Sequence, residues 1–131
     1  MERLDIPATT NSPRILFDPN HLIFLIEGES RPENVETFYT PVLNWMTEYM
    51  SSLESSGKSV EATFKMNLEF ANSSSIKMML TLLNTIGGLT QKTDSVFFDY
   101  HWYHDQDDDD GVTIGEELEE LSELQFSYFA N

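Results

Sequence analysis

The chain of 131 residues contains no cysteine. Disulfides, thiol nucleophiles and thiolate metal ligands are therefore excluded. Basic residues are scarce: 7 stand against 23 acidic ones, and the formal net charge is −16. Phosphate backbones and anionic lipid both need clustered Lys and Arg, so the balance argues against a nucleic-acid partner and against membrane docking. Long apolar runs are missing too. The longest clean one, Leu22 to Ile26, is far too short to span a bilayer. Glu2, Arg3 and Asp5 stand where a secretory signal would place an apolar stretch, so the expected setting is cytoplasmic. No G-x-x-x-x-G-K-[ST] phosphate loop, G-x-G-x-x-G turn or G-x-S-x-G nucleophile elbow occurs. The case for an enzyme is correspondingly weak, and no cofactor is implied.

What is present suffices for a fold. Hydrophobic residues make up 40 % and aromatics 12 %, enough for a core rather than a disordered chain. The length suits a single domain, residues 1–131, with residues 1–13 as an extended arm. Arg14 to Asp18 and His21 to Gly28 read as a hairpin around Asp18-Pro19-Asn20. Ser30-Arg31-Pro32-Glu33 fits a capping box with Pro32 in the first turn. Val35, Phe38, Val42, Trp45 or Met46, Tyr49 and Leu53 then recur at helical spacing. Pro41 should kink this helix, or start a new one capped by Thr40. Ser51 to Lys58 reads as a polar loop.

Val60 to Phe70 is the clearest strand. Val60, Ala62, Phe64, Met66, Leu68 and Phe70 alternate with Glu61, Thr63, Lys65, Asn67 and Glu69, so one face packs and the other meets water. A helix from Ser74 follows, ended by Gly87-Gly88. Ser95 to His104 is a strand rich in aromatics. Asp105 to Asp110 is an acidic loop. Glu116 to Leu124 reads as a third helix and Phe126 to Phe129 as a last strand. The order β-β-α-β-α-β-α-β predicts an α/β fold: one mixed sheet with a hairpin edge and helices mainly on one face.

Three consecutive hydroxyls, Ser73, Ser74 and Ser75, sit beside Asn72 where the second helix begins. Such residues accept hydrogen bonds from the first free N–H groups, and the same N–H groups and helix dipole favour a phosphate. On the serines alone, plain capping is the better reading. Two rivals lie elsewhere. Aligned from Asp105, a calcium loop would place Asp105, Asp107, Asp109 and Glu116 correctly but Asp110 where Gly is required. Shifting the frame puts Gln106 first, and neither frame follows a helix. His101 and His104 lie three apart on a strand and so point to opposite faces, a poor arrangement for one metal ion; a small enzyme using either with nearby carboxylates is the second rival. No metal site is expected.

Several segments together resemble the SiaC family of bacterial regulatory phosphoproteins. These are Gly28-Glu29-Ser30-Arg31-Pro32-Glu33-Asn34, Phe38-Tyr39-Thr40-Pro41 with Trp45, and Asn72-Ser73-Ser74-Ser75-Ile76-Lys77. Trp102-Tyr103-His104-Asp105 with Gly115-Glu116-Glu117 completes the pattern. The resemblance spans nearly the whole chain and implies a STAS-like domain resembling anti-sigma-factor antagonists. It implies a non-enzymatic switch phosphorylated at the start of the second helix by a kinase of the histidine-kinase-like ATPase type. A PP2C-type phosphatase would reverse the modification. In the best-known member the unphosphorylated form activates a diguanylate cyclase and favours biofilm formation. Carried onto this chain, the phosphoacceptor is Ser73, where that member has Thr. Ser74 and Ser75 are competitors, Asn72 and Lys77 are neighbours, and Arg31, Glu33 and Asn34 are candidate partner contacts.

Overall fold

The computed structural model describes residues Met1–Asn131. The elements are β1 (Leu4–Ile6), β2 (Arg14–Asp18), β3 (Ile23–Ser30), α1 (Val35–Ser56) and β4 (Val60–Ala71), followed by α2 (Ser73–Thr90), β5 (Val96–His104), α3 (Asp109–Ser122) and β6 (Phe126–Ala130). All six strands form one sheet in sequence order. β1, β2 and β3 are antiparallel neighbours; β3, β4, β5 and β6 are parallel. Each parallel step advances one place in the same direction, so right-handed crossovers put α1, α2 and α3 on the same face. That face holds the core. Phe17, Phe24, Phe64, Met66, Leu68 and Trp102 are fully buried beneath the helices. Phe17 packs on Trp45 of α1 and Phe24 on Tyr49. The opposite face carries Thr63, Lys65, Asn67, Asp99, His101 and Tyr103 and has no covering layer.

The alternation in β4 therefore places its even residues as expected, with one exception. Phe70 is 44 % exposed. A bulge is responsible: Gly28 pairs with Leu68 but Glu29 with Phe70, leaving Glu69 unmatched. One extra residue reverses the inward–outward parity, so Phe70 turns out and Ala71 turns in.

Other boundaries differ from the sequence reading for local reasons. The arm contains β1, which pairs with β2 and gives the sheet an additional leading strand. The Trp45 indole N–H also donates to the Glu2 carbonyl at 2.9 Å, tying the arm down. α1 is capped not by Ser30 but by Asn34, whose side chain accepts the Thr37 N–H at 3.0 Å. Pro32 lies outside the helix, and α1 runs unbroken through Pro41 and on to Ser56, ending at Gly57 in the left-handed region. Tyr39, rather than Phe38, is its fully buried aromatic. α2 passes through Gly87 and Gly88 to Thr90. α3 begins at Asp109, seven residues before Glu116, so part of the acidic run is its first turn.

Candidate functional site

The connection from β4 to α2 is built from both sides. Asn72 caps the helix: its side chain accepts the Ser75 N–H at 2.8 Å and its carbonyl accepts the Ile76 N–H at 3.0 Å. Its own N–H donates to the Ser30 carbonyl at 3.0 Å. The end of β3 therefore fixes the start of α2. Ser73 and Ser74 occupy the first two helical positions, and both are exposed. Their N–H groups have no carbonyl one turn back to bond. The cap is thus outside the serine run, and the Ser73 hydroxyl has no structural bond to maintain.

Ser75 is different. It is fully buried. Its hydroxyl donates to the Ser30 carbonyl at 3.0 Å and accepts from the Ser30 hydroxyl at 2.8 Å. The Ser30 hydroxyl also lies 2.6 Å from that of Tyr39. Burial pushes the Tyr39 phenol up to about 12, against the lesser opposing pull of its serine partners. The sequence reading made Ser30 a helix cap and Tyr39 part of a family segment, and gave neither a place at this junction. Ser30 shares the inward parity of Phe24 and Ile26, and that was the available signal; the shorter strand and the apparent capping box hid it.

Arg31 is exposed beside this junction. Its guanidinium pairs with Glu29 at 2.9 Å and lies 5.9 Å from the centre of the Phe70 ring. Lys77 is exposed one turn beyond Ser73. Of the chain's 7 basic residues, Arg31 thus follows the Ser30 that bonds the start of α2, and Lys77 lies in α2 itself. Glu33 is exposed in the turn before α1, and Asn34 is occupied as the α1 cap. No hydrogen bond or ion pair brings these two to Ser73.

The acidic run leaves β5 directly. Asp105, Gln106 and Asp107 are exposed, and Asp108 caps α3 by accepting the Gly111 N–H at 2.9 Å. Asp109 and Asp110 lie in the first helical turn, where the dipole favours negative charge. A strand, not a helix, precedes the run, and no three His, Asp or Glu side chains converge as metal ligands would. His101 bonds Asp99 at 2.9 Å, while His104 bonds the Asp105 carbonyl. A cleft of about 520 Å³ lies at the opposite end of the sheet among residues such as Thr90, Asp94, Phe97 and Gln125. Ser73 does not line this cleft and is exposed at the start of α2.

The model of the SiaC family regulatory phosphoproteins matches residues 6–131. The chain belongs to the SiaC family. An uncharacterised protein of Pseudomonas aeruginosa strain UCBPP-PA14 is 25 % identical over 131 residues, covering all of this chain and 98 % of that protein. The crystal structure of apo-SiaC from Pseudomonas aeruginosa superposes with a TM-score of 0.80 at 25 % identity, covering 99 % of this chain and 100 % of that one. A second structure holds the diguanylate cyclase SiaD of the same organism in complex with its activator SiaC. It matches with a TM-score of 0.83 at 24 % identity, over 98 % of this chain and 99 % of that one. The SiaC fold thus accounts for the whole sheet and its three helices.

Proposed function

We propose that this SiaC-family protein is a non-enzymatic, cytoplasmic switch whose partner binding is set by reversible phosphorylation of Ser73. One observation carries the reading: Ser73 is exposed on the first turn of α2 while Asn72 does the capping. Its hydroxyl can be modified without removing a bond the fold uses. A kinase of the histidine-kinase-like ATPase type would form the Ser73 Oγ–P bond as the ATP γ-phosphate bond breaks. The hydroxyl proton passes to the kinase's base and ADP leaves. A PP2C-type phosphatase would reverse the modification by hydrolysis.

The output follows from charge and desolvation. A phosphate adds about −1.5 to −2 charges at neutral pH. The free N–H groups of Ser73 and Ser74 and the α2 dipole tolerate it within the domain. A protein packed against the same edge must desolvate that dianion. A penalty of only ~1.4 kcal/mol weakens binding tenfold. The effector proposed here is a diguanylate cyclase, by kinship with the SiaC that activates SiaD, which would place the protein in cyclic-di-GMP signalling and biofilm control. Incubation with the cognate kinase and ATP, followed by phosphosite mapping by mass spectrometry, tests the acceptor. Phosphate should appear on Ser73 and vanish in Ser73→Ala. Absence of phosphate from all three serines, with an active kinase, removes the switch.

A further inference from the structure

Three hydroxyls are buried together under the start of α2, contributed by three elements. Their protons can be counted. Ser75 donates to the Ser30 carbonyl, and Ser30 donates to the Ser75 hydroxyl. The single Ser30 proton is then committed, so the 2.6 Å contact with Tyr39 has the phenol as donor. The chain runs from the Tyr39 hydroxyl to Ser30 Oγ, to Ser75 Oγ, to the Ser30 carbonyl, and every proton has an acceptor. All three side chains are 0 % exposed. The Ser30 carbonyl also accepts the Asn72 N–H, so Ser30 alone grips the first turn of α2 at three points.

Resting on the reading of Ser73 as acceptor, we infer that the Tyr39–Ser30–Ser75 hydroxyl chain decides which serine is phosphorylated. It holds the first turn of α2 in the rotation that buried Met79, Leu82, Leu83 and Ile86 set for the rest of the helix. Successive helical residues are turned by about 100°. With Ser75 held inward, Ser73 lies about 200° away, facing out, and Ser74 lies to the side. Three adjacent hydroxyls would otherwise offer a kinase equivalent targets. Ser75 is withdrawn outright, because its proton is committed inside the core and a phosphate there would be a buried dianion. Tyr39 and Ser30 are positioning residues in this scheme: neither touches the transferred group.

The test compares full-length wild type, Tyr39→Phe and Ser30→Ala, each incubated with the cognate kinase and ATP and mapped by mass spectrometry. Leu83→Ala is the control, since Leu83 is a fully buried α2 residue outside the hydroxyl chain. It lowers stability without releasing the first turn. In Tyr39→Phe and Ser30→Ala the share of phosphate on Ser74 and Ser75 should rise about fivefold, the factor for one lost hydrogen bond of about 1 kcal/mol. Leu83→Ala should keep the wild-type distribution. Tyr39→Phe retains the ring, so it stands as the test should Ser30→Ala fail to fold. Modification confined to Ser73 in every variant overturns the inference and leaves Ser73 as acceptor. A rise equal to that in Leu83→Ala also overturns it, as a mere loss of stability. Wild-type phosphate on Ser75 overturns it as well. No phosphate on wild type removes both the inference and the proposed switch.

Discussion

Asn72 and Ser73 divide two jobs that a single residue often performs at a helix start. Asn72 holds the first turn; Ser73 holds nothing. Their substitutions should therefore separate. Asn72→Ala should cost about 1 kcal/mol in urea unfolding as the cap is lost. Ser73→Ala should stay within about 0.5 kcal/mol of wild type, as exposed substitutions do. At the buried end of the same junction, Tyr39 makes a pH prediction. Its phenol titrates near 10 when unfolded and about 12 when folded, so between those values the native state holds the extra proton. The stability it contributes is complete below about pH 10 and is lost as pH rises through about 12. Burial also raises Tyr49, Tyr100 and Tyr128, so the alkaline loss is shared. Chemical unfolding followed from pH 9 to 12 should show a shallower decline for Tyr39→Phe than for wild type.

At the level of elements, what the sequence made legible was what repeats. β4 alternates over its first nine residues because one face packs and one does not, and that pattern needs no partner to be seen. The Glu69 bulge was invisible, because it arises from pairing with β3 and shows only as a change of parity at Phe70. α3 was misread for a different reason. Its acidic start resembled a solvated loop, yet carboxylates are favoured at a helix N-terminus and Asp108 is the cap. Gly111 and Gly115 lie inside α3 and serve packing. The Trp102 indole N–H donates to the Gly111 carbonyl at 3.0 Å. A Cβ on Gly115 would lie 2.8 Å from the same indole, which is fully buried and stacked on Phe126. Two helical glycines should thus respond with opposite signs in denaturant titrations. Gly115→Ala should destabilise by about 1–2 kcal/mol, overpacking outweighing the gain in helix propensity. Gly88→Ala, with nothing within 4 Å of the added carbon, should stabilise by about 0.5–1 kcal/mol.

Across the whole molecule, strands taken in order with right-handed crossovers leave one sheet face to the helices and one to solvent. The carboxyl ends of β3 and β4 meet at one edge, and Arg31, Phe70 and Ser73 are gathered there. The family resemblance pointed to the acceptor segment, and the chain's charge pointed away from nucleic acid. The resemblance implied Ser73 within it, but neither signal showed that Ser75 is buried while Ser73 and Ser74 are exposed, since that depends on hydroxyls from three elements meeting in the core. The central claim is that one modification at this edge governs association while the fold stays intact. Calorimetric titration with a diguanylate cyclase, the proposed effector, tests it most directly. The unphosphorylated protein and the same protein fully phosphorylated on Ser73 are compared, with circular dichroism recorded on both. The account predicts identical spectra and binding weakened at least tenfold, or ~1.4 kcal/mol, by the phosphate. Equal affinity of the two forms, or tighter binding by the phosphorylated one, would contradict it.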